Sequence, residues 1–92
     1  MSIKRINIFE AKDGEADKLY AFLKSFVPVI EGSRGCESCQ VLRSPENPNQ
    51  FQVIEAWTSE EAHKDSLKNI PADFAMIKTM LASPPHGSYF TE

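Results

Sequence analysis

From residue 51 to residue 57 the chain alternates as a pleated strand does: Phe51, Val53, Glu55 and Trp57 share one face, and Gln52, Ile54 and Ala56 share the other. Cys36 to Arg43 forms an earlier extended run. Ser44-Pro45-Glu46-Asn47-Pro48-Asn49, between the two, is dense in residues that start turns and do not propagate strands. Ile3 to Ala11 predicts a further strand, with Ile6, Ile8 and Glu10 on one face and Arg5, Asn7 and Phe9 on the other, closed by Lys12-Asp13-Gly14. Leu19, Phe22, Leu23, Phe26, Val27 and Ile30 then recur at helical spacing, which predicts a helix from Glu15 to about Glu31. Asp13 is the expected N-cap, with Glu15 and Asp17 in the first turn. Pro28 falls inside this helix; an interior proline costs ~3 kcal/mol, so a kink or a loosened last turn is expected. Gly32-Ser33-Arg34-Gly35 stops the helix, with Arg34 expected to cap its last carbonyls.

Thr58-Ser59-Glu60-Glu61 opens a second helix, short and polar, running to about Lys68 and broken by Asn69-Ile70-Pro71. A third helical segment is predicted from about Ala72 to Leu81, with Phe74, Ile77 and Leu81 on one stripe. Ser83-Pro84-Pro85 ends it, and Gly87 to Thr91 reads as a last strand. The order β-α-β-β-α-(α)-β is the split βαβ plan. It predicts an α+β, ferredoxin-like single domain over residues 1–92, with a four-stranded antiparallel sheet and helices on one face. The first and third strands are apolar on both faces, yet helices can cover only one. A second copy packing sheet to sheet, as a symmetric homodimer, is therefore expected.

Composition narrows the function. The 92 residues are 41% hydrophobic and 25% charged, with net charge -3. No basic cluster suits a nucleic-acid partner, and no apolar run is long enough for a membrane span or signal peptide. A cytoplasmic location is expected. Cys36 and Cys39 form a C-x2-C pair, but a structural zinc site takes about four ligands and no second pair accompanies this one. In a regular strand, moreover, residues three apart point to opposite faces. Two small free thiols in a reducing compartment, with no metal, are the expectation.

Gly35-Cys36, the Ser44-Pro45-Glu46-Asn47-Pro48 turn, Phe51, Glu55-Ala56-Trp57 and Ser59-Glu60-Glu61-Ala62, in that order and spacing, resemble the antibiotic biosynthesis monooxygenase (ABM) family of small dimeric α+β barrels. The match runs from Ile3 to about Phe74. The resemblance implies a homodimer whose paired sheets form a barrel, with one pocket per subunit between sheet and helices. It also implies oxidation of a small aromatic phenol or quinol by O2 without metal, flavin or other cofactor. Many members carry a histidine at the position that aligns with Ser66; here His63 lies one helical turn earlier. The haem-degrading branch is similar at Asn7, but it has a tryptophan near Ser66 and a histidine in the third helical segment, and this chain has neither.

Such chemistry needs aromatic walls, a base and a few hydrogen-bond donors. Trp57, Phe9 and Phe74 are the wall candidates, though large aromatics of this kind are more often plain core. Asn7 is a candidate donor to a phenolate or carbonyl oxygen, or else a polar edge residue. His63 is the candidate general base, or else a solvated helix residue. Ser66 is placed beside the substrate by its alignment, and His86 reads as a loop residue. Glu55 is either a second base or, the reading favoured on strand chemistry, the partner of Arg5 or Arg43 in an ion pair. The alternative function is a non-catalytic dimeric module of the same fold that binds a small apolar molecule or serves a stress response.

Overall fold

A computed structural model describes residues 2–92. Strand β1 (Ile3–Glu10) leads into helix α1 (Ala16–Glu31). Strands β2 (Cys36–Arg43) and β3 (Gln50–Trp57), helix α2 (Glu60–Ser66) and strand β4 (His86–Phe90) follow. Two 3-10 segments, Leu67–Asn69 and Ala72–Thr79, join α2 to β4. The four strands form one antiparallel sheet in the order β2-β3-β1-β4. The ferredoxin-like α+β plan is therefore present, but the barrel is not. The sheet is open, with β2 and β4 as unpaired edges. Closure requires the outermost strands to hydrogen-bond to each other, and about eight strands are needed to close around filled side chains. Four strands of this length curl over one layer of helix instead.

The strands pair in a register that brings several polar and candidate site side chains together. Arg5 lies opposite Glu55 across β1 and β3, and opposite Tyr89 across β1 and β4. Asn7 lies between Val53 and Gly87 in the same way. One irregularity changes the sequence picture. The β2–β3 register shifts between Cys36 and Ser38, so that Cys36 faces Trp57 and Cys39 faces Glu55. A bulge adds one residue to one strand and so resets its alternation. Directly opposed residues share a face, so both thiols lie on the helix side rather than on opposite faces. Both cysteines are free, and Cys39 is buried. Burial pushes the Cys39 thiol up to about 12, with the Glu55 carboxylate acting in the same direction, and Cys36 is raised for the same two reasons.

Helix α1 lays Leu19 and Leu23 against Phe9, Phe51 and Val53 of the sheet, all buried in one cluster, and buries Phe26 as well. Its start differs from expectation. Glu15 occupies the N-cap position without a side-chain cap, because Asp13 is engaged elsewhere, accepting from Asn49 Nδ2 at 3.2 Å. The helix runs through Pro28, which is exposed, and the Gly32 N–H still reaches the Pro28 carbonyl at 3.0 Å. Near this end Ser33 Oγ donates to the Val29 carbonyl at 3.2 Å, a role expected of Arg34. Helix α2 is capped as its sequence suggests, with Ser59 Oγ accepting from the Ala62 N–H at 3.1 Å.

The third helical segment forms as a 3-10 helix, not an α-helix, and ends before Leu81. Leu81 pairs with Ala11 in an isolated bridge, while the Met80 carbonyl accepts from the Lys12 N–H and the Ala82 N–H reaches the Glu10 carbonyl. These bonds draw the chain straight at the end of β1 and leave no length for another α-turn. The segment still carries Phe74 against α1, with ring centroids 4.9 Å from Phe26 and 5.9 Å from Phe22.

The face of the sheet away from the helices is uncovered in the single chain. Ile8, Leu42 and Phe90 there are 36%, 47% and 52% exposed, and Ile6 and Ile54 are half-buried.

Candidate active site between sheet and helices

The inward faces of β1 and β3 and the undersides of α1 and α2 enclose a cavity of about 270 Å³. An apolar cavity of about 150 Å³ holds benzene, so this one has room for a substituted or fused aromatic ring. Phe9, Phe26, Trp57 and Phe74 form its aromatic walls, and Val29, Leu67 and Ile70, all well exposed, surround its mouth. Asn7, His63 and Ser66 also line it, so every site residue proposed from sequence falls on one cavity. His63 and Ser66 do so because one turn of α2 separates them. Ser66 Oγ donates to the His63 carbonyl at 2.6 Å, which ties that turn together.

The polar groups converge on Glu55, which is 5% exposed. Trp57 Nε1 donates to its Oε1 at 2.8 Å, and Asn7 Nδ2 donates to its Oε2 at 3.4 Å. His63 Nε2 lies 3.9 Å from the same Oε1. His63 Nδ1 is 2.7 Å from the Tyr89 hydroxyl, and the imidazole meets the rings of Trp57 and Tyr89 edge to face. Among the described residues no buried side-chain polar atom lacks a partner.

Burial raises the Glu55 carboxyl above its ordinary pKa, opposed by the Trp57 hydrogen bond and the nearby Arg5 charge. Burial also lowers His63, helped by the positive charges of Arg5 and Lys64. Both shifts disfavour charge in the cavity, so a neutral imidazole faces the space a ligand would fill.

Several expectations change here. The ion pair assigned to Glu55 does not form: Arg43 is held by Asp17 at 3.0 Å and by the Pro48 carbonyl at 2.8 Å, and Arg5 Nε donates to Asn7 Oδ1 at 3.2 Å. Glu55 is instead the centre of the cavity's polar network. His86 is the first residue of β4 rather than a loop residue; paired with Ile8 of the outer face, it borders the cavity only at the strand's end, next to Gly87. Tyr89, which fixes His63, went unassigned in the sequence. Its signal was period-two spacing: Gly87 and Tyr89 share a face just as Arg5 and Asn7 do.

Among the described residues no group of three or more His, Cys, Asp or Glu side chains is placed to hold a metal ion, and no helix is long and apolar enough to cross a membrane.

The sequence model of the antibiotic biosynthesis monooxygenase family matches residues 2–73, which include β1, α1, β2, β3 and α2. The chain belongs to this family. Solved structures extend the likeness over the full ABM fold. A Mycobacterium tuberculosis protein, Rv0793, is 17% identical with a TM-score of 0.85, over 100% of this chain and 95% of its own. The cofactor-independent oxygenase SnoaB from Streptomyces nogalater is 15% identical with a TM-score of 0.85, over 99% and 92%. A Nitrosomonas europaea protein of unknown function, NE2512, is 26% identical with a TM-score of 0.83, over 97% and 86%. At the identities of the first two, the likeness establishes shared fold and nothing finer. A comparison with curated proteins gave no match.

Proposed function

We propose that this ABM-family protein oxidises a small phenol or quinol with O2 in the cavity beneath α1 and α2, using no metal or organic cofactor. The observation that supports this best is the composition of the cavity wall: the rings of Phe9, Phe26, Trp57 and Phe74 around the buried Glu55 acid, the His63 imidazole and the Asn7 amide. SnoaB, of the same fold, is a cofactor-independent oxygenase.

In this reading the ring lies against Trp57, Phe9 and Phe74. His63 takes the phenolic proton at Nε2, in the tautomer whose Nδ1–H donates to the Tyr89 oxygen. Asn7 orients Glu55 and the ring oxygen, and Ser66 holds the turn that carries His63. The phenolate passes an electron to O2, and the two radicals recombine away from water. A phenol oxidised this way gains one oxygen atom on the ring and loses two hydrogens, which leave with the other oxygen as water. The residues supply an apolar slot, a proton acceptor and exclusion of solvent; the electrons come from the substrate.

Oxygen uptake by the metal-free protein with a panel of dihydroquinones and phenols tests the proposal. Consumption above the buffer rate with at least one of them is expected. None with any would leave a module that binds such molecules without turning them over, a reading for which the serine at position 66 is the motivation.

The proposal includes a homodimer formed across the uncovered outer face, since Ile8, Leu42 and Phe90 make one apolar surface there. Sedimentation at micromolar concentration should give twice the 10.3 kDa chain mass. A single-chain mass would overturn this part.

A further inference from the structure

Arg5 is a half-buried guanidinium on the cavity wall that makes no direct ion-pair contact: among the described residues it enters none of the ion pairs. Of its five N–H groups, the one on Nε is committed, to Asn7 Oδ1. The group is nonetheless held firmly. Its Cζ sits 4.7 Å from the centroid of the Tyr89 ring, a cation–π contact. It also lies directly over the backbone of Gly87, where a Cβ would overlap Arg5 Nη2 and Cζ and Asn7 Oδ1. The bare backbone of Gly87 and the ring of Tyr89, two residues apart on one face of β4, make a flat bed for a planar cation. Glu55 feels this charge but makes no direct hydrogen bond to the guanidinium; its oxygens accept from Trp57 and Asn7 instead.

A guanidinium fixed in place, partly removed from water and left with its terminal N–H groups unspent is suited to an oxyanion, which it can receive through two parallel hydrogen bonds. We propose that the cavity selects an aromatic ligand carrying an oxyanion, a carboxylate or an ionised ring hydroxyl, and that Arg5 receives it. Gly87 is then a specificity residue that acts by giving the guanidinium its seat. The inference rests on the cavity being the substrate pocket and narrows the substrate to anionic aromatics.

Two matched pairs of probes test it, read by quenching of Trp57 fluorescence at neutral pH. The pairs are 1-naphthoate against 1-naphthylmethanol, and ionised 2-hydroxy-1,4-naphthoquinone against neutral 2-methyl-1,4-naphthoquinone. The ionised member of at least one pair should bind ten-fold tighter or more, about 1.4 kcal/mol. The pair that shows the gain identifies the oxyanion as carboxylate or enolate. Arg5→Gln should bring that pair to parity by weakening the anion alone, and Gly87→Ala should do the same by displacing the guanidinium. Equal binding within both pairs of the wild-type protein would overturn the proposal even if neither variant folds, as would a preference that survives Arg5→Gln. Binding is read without turnover. A protein that prefers the anions but consumes no oxygen retains this subsite and loses the oxygenase assignment; one that consumes oxygen while treating the pairs alike does the reverse.

Discussion

Replacing Trp57 by alanine is expected to cost about 3–5 kcal/mol of stability and at least ten-fold in turnover, the former the typical cost of truncating a large buried aromatic. Trp57 is 1% exposed, among the largest fully buried side chains, and its indole closes one wall of the cavity. The loss has two parts. The ring's removal opens a void continuous with the existing 270 Å³, so a substrate ring is no longer gripped on that side. The Nε1–H donor disappears as well, leaving Glu55 Oε1 without its 2.8 Å partner in a place water does not easily reach. Trp57→Phe separates them, because it restores most of the wall and none of the donor. Urea denaturation and oxygen uptake on the three proteins give the answer. The phenylalanine variant should recover more stability than turnover if Glu55 needs its donor for function, and both together if the ring matters only as a wall. Unchanged turnover in Trp57→Ala would remove the tryptophan from the site altogether.

Where alternation or helical spacing was strong, the chain's elements could be read directly. β2 forms over Cys36–Arg43 as expected, and α1 begins one residue later than expected, at Ala16. What failed to show was the effect of distant partners on local pattern. Phe74 and Ile77 are three apart, a spacing that serves an α-helix and a 3-10 helix alike, and the pairing of Leu81 with Ala11 decides between them. The bulge that brings Cys36 and Cys39 to one face leaves no mark in composition, because it follows from the pairing of β2 with β3. Closure into a barrel was an expectation of resemblance, and the two free sheet edges replace it. At the site, residue types pointed to Trp57, Asn7 and His63. The centrality of Glu55 did not follow, since its partners depend on which arginine the register brings near. Register places Arg5 opposite Glu55, and the guanidinium then turns to Asn7 and lies over Gly87 and Tyr89.

The buried pair of Glu55 and His63 should give the folded protein two opposed dependences on pH. Glu55 holds its proton more tightly when folded than its ordinary 4.5, so above that pH the native state binds more protons than the unfolded chain, and stability falls as pH rises. His63 releases its proton more readily when folded than its ordinary 6.5, so below that pH the unfolded chain binds more protons, and stability rises as pH rises. The Glu55 trend sets in above pH 4.5 and the His63 trend lies below pH 6.5, so the wild-type profile carries a falling and a rising contribution of opposite sign. Glu55→Gln leaves the histidine contribution, so the variant should gain stability as pH rises toward 6.5. His63→Asn leaves the carboxyl contribution, so it should lose stability. Each slope is bounded by about 1.4 kcal/mol per pH unit for one proton, which urea midpoints at successive pH values resolve. Turnover should follow the same histidine. With His63 as the base, kcat/KM falls as pH drops below 6.5 through the depressed imidazole pKa, and His63→Asn abolishes that limb. Parallel stability profiles for the two variants would mean that neither group titrates differently in the fold, and the raised acid and lowered imidazole at the heart of the cavity would have to be given up.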